Sequence, residues 1–215
     1  MKNYKISLIL NIIIFVLVLL GTIFMFTGYQ FMSNTTILTN IGLGAFKYYT
    51  VDSNIIVGIS SFIMIIYEIL LINKKIDKLP KYVYILKYIG VVGVTLTFLV
   101  TLFYLSPMYG KEFLFLYMNT NLFFHLIVPI LSFISYTLFE KNNLEYKYTF
   151  ISLISMFIYS IYYIINIITH LDNIKEYDWY GFVLGGVISI IFVVLIITIT
   201  TYLISYIIYK INKKE

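Results

Sequence analysis

A few polar side chains that could do chemistry stand inside long apolar runs of this sequence. His125 lies in such a run, with Asn121 four residues before it and Pro129 four residues after it. Residues four apart share one face of a helix, so the three side chains face the same way. A buried histidine can act as a base, bind a ligand, or simply hydrogen-bond to a neighbouring helix. The spacing alone leaves these interpretations open.

Thr50 opens another apolar run and is followed closely by Asp52, Ser53 and Asn54. A threonine with a polar residue three positions later is typical of a helix start, so the pattern favours Thr50 as an N-cap. Asp52 would then be a first-turn acid at the positive end of the helix dipole. Asn54 lies one turn further along, on the same face as Thr50. A reactive hydroxyl at Thr50 is the alternative interpretation.

The remaining ionisable residues of the apolar runs have simpler interpretations. Glu68 comes shortly before Lys74 and Lys75, which predicts an ion pair that extends to the membrane surface. His170 lies beside Asp172 at the end of its run, so an interfacial position is expected.

The sequence predicts no metal site and no cofactor. It has no cysteine, and its two histidines fall in different apolar runs without an H-x-x-x-H or H-E-x-x-H spacing. These facts exclude thiolate ligands, cysteine nucleophiles and the common zinc motifs.

The amino-acid composition indicates which class of protein contains these polar residues. The chain has 215 residues, of which 61% are hydrophobic and only 12% are charged. A soluble domain carries about a quarter charged residues, and disordered chains are poor in apolar residues. Both classes are therefore excluded. The basic residues are all lysines, with no arginine, which argues against a nucleic-acid partner.

The apolar residues come in blocks long enough to cross a bilayer, which takes about 20 residues of helix. Only helices and closed barrels satisfy every backbone group in lipid, and blocks of this length without strict alternation favour helices. The sequence therefore predicts one all-α integral membrane domain, 1–215, built as a bundle of six transmembrane helices. The predicted spans are 6–27, 50–73, 84–106, 113–139, 147–168 and 182–209.

The distribution of lysines predicts the orientation. With six spans, both termini share a side of the membrane with the second and fourth connections. Twelve of the 15 lysines fall on that side. The positive-inside rule therefore places both termini in the cytoplasm of a multi-pass protein of the cell membrane. The first block is too long for a signal peptide and is interpreted as a retained span.

Four sequence patches, in this order and spacing, resemble one known family. They are Lys47-Tyr48-Tyr49-Thr50, then Asn121-x-x-x-His125 with Pro129, then Thr169-His170, then Asp178-Trp179-Tyr180-Gly181-Phe182. In a six-span chain of this length, they resemble the androgen-induced protein / FAR-17a family, which includes the androgen-dependent TFPI-regulating protein and bacterial six-pass relatives.

The resemblance implies a function. Characterised animal members are integral-membrane threonine hydrolases that cleave fatty acid esters of hydroxy fatty acids. Carried over to this chain, the resemblance makes Thr50 the nucleophile and His125 the general base. Chemical reasoning adds Asn121 and Asn54 as candidates to stabilise an oxyanion or orient the imidazole. Asp52 is also a supporting candidate, although it points about 200° around the helix from Thr50.

The substrate predicted in this way is a lipid or fatty-acyl ester that enters from the bilayer. The alternative is a non-enzymatic bundle that binds or transports a lipid or small molecule, and a purely structural membrane protein is a third possibility. The sequence leaves the oligomeric state open. One geometric expectation opposes the hydrolase: counted from the inner ends of their predicted spans, Thr50 and His125 differ in depth by roughly 13 Å.

Overall fold

The structure, a computed structural model, describes residues 2–32, 42–183, 186 and 188–213. Within these ranges it contains helices and no β-strand, apart from one isolated bridging pair. Six helices are long and apolar enough to cross a membrane, so the prediction of an all-α, multi-pass membrane protein is confirmed. They are α1 Lys2–Thr27, α2 Tyr49–Ile72, α3 Lys81–Tyr117, α4 Thr120–Phe139, α5 Tyr148–Thr169 and α6 Ser189–Asn212.

Small residues bring the first three helices close together. A side chain at Gly58 would meet Val18 of α1 at 2.6 Å, and one at Gly90 would meet the backbone of Val57 at 2.7 Å. Lipid supplies no hydrophobic drive between helices, so close contact of this kind is what holds them together. The fourth helix packs against α1 and α3, and α6 packs against α3 and α5.

The bundle has two ends, which are named here by the residues that form them. The terminal end contains the start of α1, residues 72–81, residues 139–148 and the end of α6. Its two connections meet there, because Lys81 pairs with Glu145, and Asn142 donates its backbone N–H to Asn212 at 3.1 Å. The distal end contains the described residues of 27–49, 105–120 and 169–189. Which end faces the cytoplasm stays a prediction.

The third span ends later than the predicted residue 106. The chain runs on through a π-helical turn at Thr101–Leu105 and a 3₁₀ segment at Gly110–Tyr117. Positive φ angles at Gly110 and Asn119 redirect the backbone before α4 begins at Thr120. Residues 113–117 therefore belong to the end of α3 and not to the start of α4. Apolarity alone cannot reveal this boundary, because the 3₁₀ segment is itself apolar.

The sixth helix also begins later than residue 182, at Ser189. Asp178 folds the preceding residues into a turn, because its carboxylate accepts the backbone N–H groups of Phe182 at 2.8 Å and Val183 at 2.9 Å. The hydroxyl of Tyr163 donates to the same carboxylate and joins this turn to α5.

A buried polar group of side chains near the terminal end is called the lysine–carboxylate cluster here. It consists of Ser7, Asn11, Ser61, Glu68, Lys87, Ser135 and Glu140. The ammonium of Lys87 donates to Asn11 and Ser61 at 2.6 Å each, and Asn11 donates to both carboxylates.

The interpretation of Glu68 as a surface residue paired with Lys74 or Lys75 was therefore wrong. Glu68 has no exposed surface, because its position on α2 turns it towards α1 and α3. Lys87, one of the 12 lysines that predicted the orientation, is also fully buried.

Candidate active site

Thr50 lies in the first turn of α2 and does not cap the helix. The helix begins at Tyr49, and Tyr48 occupies the N-cap position without a side-chain cap bond. The prediction that Thr50 is an N-cap was therefore wrong. Its backbone carbonyl accepts hydrogen bonds from Ser53 and Asn54, but its hydroxyl is not used for capping. The side chain is 8% exposed and lines a cavity.

The hydroxyl of Tyr180 caps α2 instead. Its oxygen accepts the backbone N–H of Tyr49 at 2.9 Å and also interacts with the backbone of Thr50. Further hydrogen-bond partners are the side chains of Tyr159 and Thr50. Burial raises the pKa of Tyr180 to about 12, so the hydroxyl keeps its hydrogen at neutral pH.

His125 faces the interior of the bundle and is only 6% exposed. This agrees with the cost of leaving an imidazole without partners in hydrocarbon. It lies in a π-helical turn, Phe123–Ile127, a type of distortion that is common at functional sites. Pro129 follows four residues later and has no N–H for the carbonyl of His125.

A backbone carbonyl fixes the orientation of this imidazole. The Nδ1 atom of His125 lies 2.6 Å from the carbonyl oxygen of Leu116, in the 3₁₀ segment at the end of α3. A carbonyl can only accept, so Nδ1 carries a hydrogen. Burial disfavours a charged ring, and in the neutral ring Nε2 keeps its lone pair. Within the described part of the chain, the group that holds Nδ1 is a backbone carbonyl and not a carboxylate.

One cavity of about 70 Å³ brings Thr50 and His125 together. Asn121 and Tyr180 also line it, and its apolar wall includes Phe124. The two key side chains share this cavity and do not hydrogen-bond to each other. Distances between catalytic groups are often longer before substrate binds, so this arrangement is compatible with proton transfer.

The expected difference in depth between Thr50 and His125 is largely removed by the packing. Asn11 donates to Glu68 at 3.4 Å and to Glu140 at 3.0 Å, so these two carboxylates lie at about the same depth along the bundle. Counted from that level, Thr50 is 18 residues away and His125 is 15. The difference is about 4.5 Å at 1.5 Å per residue. The earlier estimate failed because it placed the inner ends of α2 and α4 at the same height.

Asn54 joins the backbones that carry the two candidate catalytic residues. It is fully buried, and its amide nitrogen donates to the carbonyls of Thr50 at 2.7 Å and Phe124 at 3.1 Å. Both amide hydrogens are therefore used, which leaves none for an oxyanion. Asn54 is a positioning residue between α2 and α4, and the expectation that it could donate to an oxyanion is not supported by this geometry.

The two other supporting candidates differ in position. Asn121 lines the cavity beside His125. Asp52 is half-buried and does not line the cavity, as its direction on the helix predicted. Among the residues that the structure describes, no acidic side chain lines the cavity, and the Leu116 carbonyl is the group that orients His125.

Reasoning from the sequence gave no individual role to Tyr180 or to the aromatic residues around it. Trp179 donates from Nε1 to the hydroxyl of Tyr159 at 2.9 Å, and that hydroxyl donates to the carbonyl of Lys47 at 2.7 Å. These bonds fasten the 178–183 turn over the start of α2. The only signal in the sequence was the run Asp178-Trp179-Tyr180-Gly181-Phe182, which was used for the family resemblance.

The described residues hold no group of three or more His, Cys, Asp or Glu side chains that could bind a metal ion. His170, the second histidine, stacks on Tyr177 with ring centroids 3.6 Å apart, and its Nδ1 lies 2.9 Å from the carbonyl of Asn166. Its contacts are therefore local, at the end of α5.

Comparisons of the chain with protein-family models, with curated proteins and with solved structures find no match. The resemblance to the androgen-induced protein / FAR-17a family stays a prediction from the residues quoted above. The geometry of the cavity supplies a hydroxyl, a neutral imidazole with a free nitrogen, and two further hydrogen-bond donors. Acyl transfer is a reaction that needs this combination.

Proposed function

We propose that the chain is an intramembrane lipid-ester hydrolase in which Thr50 is the nucleophile and His125 the general base. The substrates are fatty acid esters of hydroxy fatty acids or similar acyl esters. The observation that carries the proposal is that Thr50, with its hydroxyl free of capping, shares a cavity with a buried imidazole whose Nδ1 is held by Leu116.

The first half of the reaction transfers the acyl group to the enzyme. Nε2 of His125 takes the hydroxyl proton as Oγ of Thr50 forms a bond to the ester carbonyl carbon. The tetrahedral intermediate then breaks the bond to the alcohol oxygen, which receives the proton from His125. An alcohol leaves, and the acyl group stays as an ester on Thr50.

The second half releases the acid. A water molecule attacks the acyl-threonine ester while His125 accepts its proton, and the collapse of the intermediate returns that proton to Oγ of Thr50. The products are a fatty acid and an unchanged enzyme. No cofactor takes part in either half.

Two side chains of the cavity can donate to the oxyanion that forms in each half. The Asn121 amide lines the cavity, and the Tyr180 hydroxyl stays protonated at neutral pH. The first backbone N–H groups of α2 cannot take this role, because those of Val51 and Asp52 donate to Tyr48 and that of Tyr49 donates to Tyr180. Oxyanion stabilisation therefore depends on side chains, where it contributes about 3–4 kcal/mol per donor.

The test is hydrolysis of a fluorogenic palmitoyl ester of a secondary alcohol by purified protein in nanodiscs. We expect Thr50→Ala and His125→Ala each to abolish turnover, and the double variant to be no worse than either, because nucleophile and base act as a unit. Thr50→Ser should keep measurable activity because it retains a hydroxyl. Thr137→Ala is a matched control: this threonine of α4 is also buried, but its hydroxyl donates to Phe133 and it does not line the cavity.

Full hydrolysis by Thr50→Ala would overturn the proposal. Saturable binding of the ester with no turnover in the unmodified protein would favour the non-enzymatic lipid-binding bundle instead.

A further inference from the structure

An apolar groove opens on the outside of the bundle between α3 and α6. Its volume is about 380 Å³, and its walls include Val100, Phe103, Val193, Ile196 and Ile197. Phe103 is 73% exposed and Ile196 is 62% exposed, so the groove is open towards the space that lipid chains fill around the bundle. The groove could therefore receive a hydrocarbon chain directly from the bilayer.

A narrow space beside Thr50, of about 40 Å³, lies between this groove and the candidate active site and is called the neck here. On one side the neck shares Thr50, Leu105 and Tyr180 with the active-site cavity. On the other side it shares four residues with the groove, which are Leu96, Val100, Phe182 and Ile197. The active-site cavity, the neck and the groove therefore adjoin one another in series, from Thr50 to the outside of the bundle.

The active-site cavity alone cannot hold a long acyl ester. Its volume of about 70 Å³ is below the roughly 300–1,000 Å³ of ordinary ligand sites, whereas the groove falls within that range. The cavity fits the reacting carbonyl and a water molecule. The rest of the substrate needs a second, apolar space that begins at Thr50.

We propose that the α3–α6 groove is the acyl-chain subsite of this enzyme, and that it takes one unbranched fatty-acyl chain whose carbonyl lies at Thr50. This inference rests on the proposed function. The groove is as apolar as the bilayer, so transfer of the chain between them yields little free energy. Its contribution is to position the carbonyl next to Thr50, and small displacements there are costly to the rate.

Two other grooves on the bundle fit this role less well. One of about 410 Å³, between α5 and α6, shares only Met156 with the neck. Another of about 320 Å³, lined by Pro129, Ile130 and Ile207, shares Leu99 with the α3–α6 groove but no residue with the neck or the active-site cavity. The second groove supplies a control surface of similar size and polarity.

The first experiment compares hydrolysis of palmitoyl and acetyl esters of the same fluorogenic alcohol. Ile197→Trp fills the neck, and Ile196→Trp narrows the open part of the groove at an exposed position that tolerates a larger side chain. We expect the ratio of palmitoyl to acetyl turnover to fall about 10- to 100-fold in Ile197→Trp and less in Ile196→Trp. Ile207→Trp, in the groove that shares no residue with the neck, should leave the ratio unchanged. An unchanged ratio in both groove variants would overturn the proposal.

The second experiment does not depend on catalysis. Thr50→Ala protein in nanodiscs is irradiated with palmitate that carries a diazirine near its carboxyl end, and the crosslinked peptides are identified. We expect labelling of the α3 and α6 segments around Val100 and Ile197 that excess unlabelled palmitoyl ester suppresses. Labelling spread equally over the groove at Ile207 would overturn the subsite. Saturable labelling of the α3–α6 groove with no hydrolysis by the unmodified protein would support it as an acyl-binding site and reject the hydrolase.

Discussion

Two buried polar regions lie at opposite ends of this bundle, and they differ in where their hydrogen bonds go. In the lysine–carboxylate cluster, Lys87 donates to Asn11 and Ser61, and Glu140 accepts from Ser7, Asn11 and Ser135. Apart from one oxygen on each carboxylate, its side chains bond to one another. In the distal cavity, the side chains of Thr50 and Asn121 border open space.

The difference separates a structural use of buried polarity from a chemical one. Polar groups in hydrocarbon need partners, and internal partners make a region rigid and closed. A reacting side chain instead needs one atom held by a hydrogen bond to the protein and its reactive atom accessible to substrate. His125 meets this requirement, because Leu116 holds Nδ1 while the ring lines the cavity. We therefore expect substitutions at the two ends to affect different measurements.

The largest expected effect is on stability at the terminal end. Lys87→Met should lower the free energy of unfolding by about 3–5 kcal/mol, because it leaves two buried carboxylates without a cation. Thermal or denaturant unfolding in detergent measures this. Lys78→Met, at an exposed lysine of the same end, is the control and should have little effect. Addition of Glu68→Gln to Lys87→Met should restore part of the loss. Wild-type stability in Lys87→Met would show that the cluster does not depend on its charge balance.

The next effect is on rate at the distal end. Asn121→Ala should reduce hydrolysis roughly 10- to 1000-fold, because it removes a hydrogen-bond donor from the cavity. Its unfolding temperature should stay close to that of the unmodified protein, in contrast to Lys87→Met. Asn166→Ala, at an asparagine of α5 that does not line the cavity, should leave the rate unchanged. A large loss of stability in Asn121→Ala would contradict the division between the two ends.

Tyr180→Phe tests a residue that both caps α2 and lines the candidate active site. Loss of the hydroxyl leaves the N–H of Tyr49 without its partner and should cost about 1 kcal/mol of stability, as other helix caps do. Hydrolysis should fall as well, since Thr50 and the cavity both contact this hydroxyl. Tyr162→Phe, at an exposed tyrosine of α5 near the same rings, should change neither quantity. Equal stability and equal hydrolysis rates in the two variants would show that the Tyr180 hydroxyl has no role in the site.

The smallest effect concerns the exposed surface of the terminal end. Hydrogen bonds from Lys147 and Lys81 lower the pKa of Glu145 to about 2, below its usual value of 4.5. A lowered pKa stabilises the fold above the usual value, and this contribution is lost as the pH falls towards 2. The stability difference between the unmodified protein and Glu145→Gln should therefore shrink between pH 5 and pH 2, by a small amount that salt reduces. A difference that is constant over this range would contradict the ion pairs.

The sequence by itself determined the class of structure. Composition and block length predicted six apolar helices, and the isolation of His125 within an apolar run predicted that it faces the interior. The length of an apolar block depends only on neighbouring residues, and the free-energy cost of burying a polar side chain depends on that side chain. Both can be evaluated without knowing which helices pack together. Hydrophobic block length and the burial cost of a polar group need no tertiary information.

Only the tertiary structure decided how the site is assembled. Thr50 is free of capping because Tyr180, 130 residues later, caps α2. His125 is oriented by the carbonyl of Leu116, in a 3₁₀ segment that the sequence predicted to be part of one apolar span with His125. Glu68 and Lys87 likewise meet through Asn11 of another helix. Each of these bonds joins residues whose proximity depends on the packing of several helices. Local patterns predict that a buried polar group needs a partner, and the three-dimensional fold selects which partner it finds.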